Sequence, residues 1–374
     1  MSSFWEKLRS DFPITRKLIY LDHAACGPIP LPVRSKIQSY YDTHTREADF
    51  AWDRWMRERD AVRQKVAAFI GAEPEEITFT QSTSHGMNLA AELLAREGKV
   101  LTNELEFPSS TIPWVWRKAP LIFQKVEAAK VSLNKLRVLL AKNVKTILTS
   151  QVQYATGFRQ DLEALGKMKG SRYLVVNATQ GLGVLKMDVR RAKIDFLTAN
   201  SYKWMMAGYG GGILFIRKKW LARFRPTSVG WRSMREPERM DNQRIDVRKD
   251  AARYEGGCPS FPTIFALGAA VDYFNSIGVE KIQNRILALT GYAMQRLEEE
   301  DFEVITPNAP EERAGIVVFK IKNALKIWKE LLNRKICVSA RGPGLRFSPH
   351  FYNTFEEIDT VIKKIKTLQK RGDF

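Results

Sequence analysis

Short apolar runs, each followed by a helical pattern, recur through the first half of this chain. Ile77 to Thr80 precedes a helix from Ser84, Leu121 to Val126 precedes one near Leu133 to Leu140, and Thr146 to Thr149 precedes one near Asp161 to Met168. Runs of this length read as buried strands. Joining strands through helices implies a mostly parallel sheet with helices on both faces. In such a sheet ligands bind outside the carboxyl ends of the strands. Two further runs, Val175-Val176-Asn177 and Ile194 to Ala199, also read as strands, and the first ends on a polar tip.

The pattern changes near Arg253-Tyr-Glu-Gly-Gly257. Amphipathic helices follow at about Thr263 to Ser276 and Val279 to Glu299, then strands near Phe302 to Ile305 and Ile316 to Ile321. A helix near Ala324 to Asn333, a strand at Ile336 to Ser339 and a last helix from Glu356 complete an α+β unit. A chain of 374 residues suits one large domain with a smaller one. The expected division is 20–255 and 256–374.

Chemistry concentrates after the strand at 175–177. Asn177-Ala-Thr-Gln180 closes that run, and Lys203 follows twenty-three residues after Gln180, inside Asn200-Ser-Tyr-Lys-Trp204 and ahead of Gly208, Gly210, Gly211 and Gly212. A lysine beside a strand tip, packed among aromatic and glycine-rich backbone, loses its charge more readily than one in water and becomes a nucleophile. A surface salt-bridging lysine is the default for this residue type alone. The whole constellation predicts a Schiff-base lysine for pyridoxal phosphate.

These motifs resemble the class V aminotransferase family of fold type I enzymes, close to cysteine desulfurases, kynureninases and isopenicillin N epimerase-like proteins, over nearly the whole chain. The resemblance implies a large cofactor-binding domain and a small C-terminal domain with residues 1–19 packed on it. It also implies that Lys203 carries the cofactor. Thr80-Gln-Ser-Thr-Ser84 opens a helix, so the resemblance turns an ordinary N-cap cluster into a phosphate site with Thr83 and Ser84, joined by Tyr202. Glu106-Phe-Pro-Ser-Ser110 makes Phe107 the ring neighbour. Gln153-Tyr-Ala-Thr-Gly157 places Tyr154 near the cofactor's phenolic oxygen, with Gln180 as the other candidate.

The family's arginine for the substrate α-carboxylate corresponds to Arg346 in Gly344-Leu-Arg-Phe-Ser-Pro-His-Phe-Tyr-Asn-Thr354, with Arg341 as a second candidate. Leu21-Asp-His-Ala-Ala-Cys-Gly-Pro28 matches a loop entering the site and brings Ala25 and Cys26 to the substrate pocket. Cys258, in place of a threonine, and Trp231 match segments near the partner subunit's cofactor. A homodimer with shared active sites is therefore implied. One departure stands out: family members usually carry aspartate where this chain has Asn177. An amide donates a hydrogen bond to a ring nitrogen but supplies no charge, so the expected chemistry shifts from transamination toward elimination or epimerisation.

Cys26, Cys258 and Cys337 form no CxxC pair or disulfide framework, and the four histidines give no metal-ligand spacing. A persulfide-forming desulfurase needs a mobile-loop cysteine, whereas Cys337 lies in the apolar run Ile336-Cys-Val338 and Ala340 to Gly344 has none. A cystine lyase that releases a persulfide product requires no such residue. Lys and Arg exceed Asp and Glu by 60 − 41 = 19, spread along most helices with no nucleic-acid-binding motif. No run is long and apolar enough for a membrane span, and Met1 to Phe12 lacks a signal-peptide core. The expected protein is a cytoplasmic lyase or epimerase acting on a small L-amino acid. The alternatives are a true aminotransferase, a tRNA- or nucleic-acid-associated member, and a cofactor-binding protein of low activity.

Overall fold

Seven strands form the central sheet, in spatial order Ile77–Thr80, Gly212–Ile216, Phe196–Asn200, Tyr173–Asn177, Val144–Ser150, Lys99–Asn103 and Leu121–Gln124. The structure is a computed structural model and describes residues 4–370, with 1–3 and 371–374 outside it. Gly212–Ile216 runs antiparallel to both neighbours, and the remaining pairings are parallel. Side chains alternate across this sheet as the strand period demands. Leu101, Ile147, Leu174, Val176, Leu197 and Phe215 enter the core on one face. Val100, Leu148, Val175, Phe196, Leu214 and Ile216 enter the core on the other.

Helices begin and end where their sequences direct. Asp161 caps Leu162–Met168 by accepting from the Ala164 N–H at 2.9 Å, and Ser132 caps Leu133–Leu140 by accepting from Lys135. Thr83–Leu94 lies directly over the sheet: a Cβ on Gly86 would sit 2.2 Å from Thr198 Oγ1, so only glycine permits that approach.

The smaller unit is a three-stranded antiparallel sheet of Ser339–Arg341, Gly344–Phe347 and Val317–Lys320, in that order. Val279–Glu299, Ala324–Asn333 and Phe355–Lys370 share its core. The N-terminal segment docks at the junction between the two units, where Phe12 stacks on Tyr352 at 3.9 Å between ring centroids and Arg9 donates to Glu357 and to the Tyr352 carbonyl.

Three expectations change. Phe261–Ile277 falls beyond the expected boundary at 255/256, yet Phe261, Ile264, Phe265, Leu267 and Val271 join the main core, because the helix packs against Leu31–Glu47 and Trp52–Ile70. Phe302 to Ile305 is not a strand: Val304 makes only an isolated bridge to Phe319. The run Ile336 to Ser339 divides between two partners, with Ile336–Cys337 pairing Ile19–Tyr20 and Ser339 opening the hairpin to Arg346. A local apolar pattern carries no information about which partner takes which residue.

Candidate active site

Asn177, Ser150 and Asn200 are the last residues of three adjacent strands, and all three line one pocket at the carboxyl ends of the sheet. Ser82 caps the helix Thr83–Leu94 by accepting from the His85 N–H at 3.1 Å, which leaves the first N–H groups of that helix without intrahelical acceptors. Thr83 and Ser84 line the same pocket, and Thr83 Oγ1 lies 2.5 Å from Thr179 Oγ1. Oriented N–H groups and hydroxyls at a helix start favour an anion.

Lys203 arrives on the turn after Phe196–Asn200. Ser201 ties that turn by donating to the carbonyls of Gly208 at 2.6 Å and Gly211 at 2.9 Å. The Trp204 indole donates to Gln180 Oε1 at 2.7 Å, and Gln180 Nε2 donates to the Ala24 carbonyl at 3.0 Å. From the other side the Gly27 N–H donates to the Tyr202 carbonyl at 2.8 Å, and a Cβ on Gly27 would stand 2.1 Å from the Lys203 carbonyl oxygen. The N-terminal loop is therefore clamped on the lysine turn.

Burial is the main force acting on the Lys203 amine. Together with the positive charges of Arg346 and Arg341, it brings the pKa down to about 8, while Asp22 and Cys26 pull the other way. The amine lies 5.7 Å from the Phe107 ring centroid and 5.9 Å from that of Tyr202. Phe107 meets Tyr154 edge to face at 5.0 Å, and both line the pocket. Tyr202 stacks on Tyr209 at 4.3 Å, and burial raises the Tyr202 pKa.

Asn177 has a determined orientation. The Thr179 N–H, which can only donate, faces Oδ1 at 3.0 Å, so Nδ2 faces Ser110 Oγ at 2.9 Å and keeps a second N–H. Arg346, from the smaller sheet, is 1% exposed. Its contacts are long: Nη2 to Ser339 Oγ at 3.2 Å and to Asp22 Oδ1 at 3.4 Å, and Nη1 to the Tyr154 carbonyl at 3.4 Å. Nε has no hydrogen-bond partner among the described residues. Burial lowers the guanidinium's pKa to about 10, and Asp22 opposes that shift. Such an arginine retains unused capacity for a carboxylate.

Of the residues anticipated from sequence, Thr83, Ser84, Phe107, Tyr154, Asn177, Gln180, Tyr202 and Lys203 line this pocket. Gln180 is less free than anticipated, because its amide ties Trp204 to Ala24. Arg346 stands behind Tyr154. Ala25 and Arg341 lie instead in a neighbouring cleft with Asp22 and Cys337, where Arg341 hydrogen-bonds to the Ala340 carbonyl. The Cys26 thiol donates to the Gly27 carbonyl at 3.7 Å, and its proximity raises the pKa of Tyr209. Trp231 and Cys258 do not reach this chain's pocket: each lines a separate surface cleft. Ser150, Thr179, Asn200 and Asp22 were not anticipated, although closing a strand was the available signal for Ser150 and Asn200.

The pocket fits pyridoxal phosphate on two observations: a half-buried amine of lowered pKa, and a helix start whose free N–H groups and hydroxyls face the same space.

The aminotransferase class-V family model matches residues 19–361. A probable cysteine desulfurase of Pyrococcus abyssi is 28% identical, over 98% of this chain and 98% of its own length. An uncharacterized aminotransferase of Bacillus subtilis is 26% identical, over 98% and 99%. The apo structure of the cysteine desulfurase from Thermococcus onnurineus NA1 superposes with a TM-score of 0.90 at 26% identity, over 99% of this chain and 100% of that one.

Proposed function

The chain belongs to the aminotransferase class-V family of pyridoxal phosphate-dependent enzymes, and from that premise we propose that it is a lyase of the cysteine desulfurase type acting on a small L-amino acid. The observation that carries this reading is the half-buried Lys203 amine, brought down to about 8 by desolvation, on the wall of one pocket. Pyridoxal phosphate, when bound, supplies an aldehyde for the amine and a ring that withdraws electrons from the substrate's Cα. Thr83, Ser84 and the helix start would hold its phosphate, and Phe107 on the pocket wall would lie against its ring. Lys203, whose amine lies in the same pocket, would move the Cα proton as base and then acid.

Arg346 takes the α-carboxylate with a guanidinium that stays charged where it is buried. Asp22, whose own pKa burial raises, supplies the counter-charge without filling the arginine's donors. Sulfur leaves without a protein-bound persulfide. Cys337, the thiol nearest the expected position, is pushed up to about 11 by burial and by Asp22, so little of it is thiolate at neutral pH. A substrate whose sulfur departs already bonded to a second sulfur, as in cystine, suits this site. Asn177, on the pocket wall, would meet the ring with an amide that carries no charge of its own.

A homodimer in the cytoplasm belongs to the same proposal. Ile112, Val115 and Trp116 on one helix, with Trp231, Met240 and Ile245, leave large apolar side chains exposed, as expected of a surface awaiting a partner. Among the described residues no helix is long and apolar enough to cross a membrane. A single turnover with cystine, cysteine, alanine and kynurenine tests the reaction. Retained pyridoxal phosphate with released keto acid and sulfane sulfur is the expected result. Accumulated pyridoxamine phosphate would establish transamination instead.

A further inference from the structure

Glu106 is a buried carboxylate that the reading above leaves without a task. Its oxygens accept from Asn103 Nδ2 at 3.1 Å, the Ser150 N–H at 2.6 Å, Ser150 Oγ at 2.6 Å and Gln153 Nε2 at 2.8 Å. The Leu105 N–H donates to Asn103 Oδ1 at 2.9 Å, which turns the Asn103 NH2 toward the carboxylate. All the groups facing Glu106 are thus donors, the environment that an acceptor-only anion requires. Among the described residues no Lys, Arg or His forms an ion pair with it, so its charge is not cancelled locally.

This charge lies behind one wall of the pocket. Ser150 is the register partner of Asn177 on the adjacent parallel strand, and both line the pocket. Ser110, four residues after Glu106, accepts from Asn177 Nδ2. The carboxylate therefore stands one hydroxyl away from the wall whose own side chain, Asn177, is neutral. In a site of low effective dielectric a fixed charge acts across such a distance.

We propose that Glu106 is a positioning residue that supplies, through Ser150, the negative charge missing from Asn177, and so favours the protonated form of an aromatic nitrogen base bound against that wall. The inference rests on the pyridoxal phosphate reading. A purely structural staple, tying the turn at 103–107 to the loop at 150–154, would hold the same hydrogen bonds but would not depend on the charge.

The test is solid-state nitrogen NMR of the holoenzyme loaded with pyridoxal phosphate labelled at its ring nitrogen, in wild type, Glu106→Gln, Ser150→Ala, Asn177→Asp and the double variant Glu106→Gln/Asn177→Asp. The expected result is a shift of the ring nitrogen toward its unprotonated position in E106Q, by about tenfold in the protonated fraction, a smaller shift of the same sign in S150A, and recovery in the double variant. If the ring signal in E106Q matches wild type while melting temperature or cofactor affinity drops, Glu106 is a staple only and the proposal is overturned. Should E106Q not fold, S150A decides by the same criterion. A wild-type protein showing no cofactor signal dependent on Lys203 would sink the parent reading instead.

Discussion

Two desolvated cations come from different halves of the molecule, Lys203 on the pocket wall and Arg346 behind Tyr154, and their surroundings make them unlike. The Lys203 turn of the large sheet offers its amine aromatic rings at 5.7 and 5.9 Å, whereas the Arg346 strand of the small sheet places a carboxylate and a hydroxyl within 3.4 Å of its guanidinium. Desolvation is the leading force on both. The amine, starting from 10.5, comes down to about 8, so roughly a tenth of it is neutral at pH 7. The guanidinium at about 10 stays charged. Desolvation thus produces a nucleophile at the half-buried lysine and a permanent anion receptor at the buried arginine, because the two groups start from different affinities for their proton.

The largest break in this comparison is Lys203→Ala. Covalent capture of pyridoxal phosphate should vanish, and turnover should fall by roughly 10⁴-fold or more, as read by borohydride trapping and steady-state kinetics. Replacing the other cation, Arg346→Leu, should cost about 1.5–3 kcal/mol of substrate binding, on the order of 10- to 100-fold in kcat/KM, mostly in KM. Because the Arg346 charge lowers the Lys203 pKa, the same variant should move the pH midpoint of aldehyde capture above 8. Asp22→Asn should move that midpoint the opposite way, since Asp22 raises it. Capture requires the neutral amine and so increases as pH rises through the midpoint in each protein. An unchanged midpoint in both variants would show that desolvation alone sets the amine.

The smallest effect at neutral pH concerns the clamp behind the two cations. His350 Nδ1 accepts from the Phe351 N–H, so its other nitrogen donates to the Trp204 carbonyl at 3.2 Å. His23 bridges the Ser348 carbonyl and the Tyr352 hydroxyl. Both imidazoles are neutral and fully buried, and burial depresses both pKa values, that of His350 to about 3 from 6.5. Their contribution to stability is present above pH 6.5 and is lost as pH falls below it. Each group then adds up to about 1.4 kcal/mol per pH unit. Chemical denaturation at pH 7 and pH 5 measures this, and a flat profile would remove the clamp from the account.

Local pattern placed five of the seven strands of the large sheet, and missed Lys99–Asn103 and Gly212–Ile216. The helices Leu133–Leu140 and Ala324–Asn333 fall where their periodicity places them, and Asp161 caps the helix it precedes. Lys203, Asn177 and the Thr83–Ser84 helix start were legible because each sits at a strand end or helix start, positions that short-range sequence marks. Phe261–Ile277 was legible as a helix but not as a member of the main core, since its apolar residues carry no label for the helices at 31–47 and 52–70.

What the sequence determined by itself was the alternation of strand and helix, and with it a crevice at the strand ends containing an amine, an amide and a phosphate-ready helix start. What only the tertiary structure decided was the state of those groups. The pKa of Lys203 depends on Arg346, Arg341 and Asp22, more than a hundred residues away along the chain, and on the exclusion of water by two packed units. The charge of Glu106 is held by Ser150 and Gln153 across a sheet. Spacing along a chain specifies which groups are available, but burial and Coulomb interaction depend on distance in space, and that is set only when the elements pack.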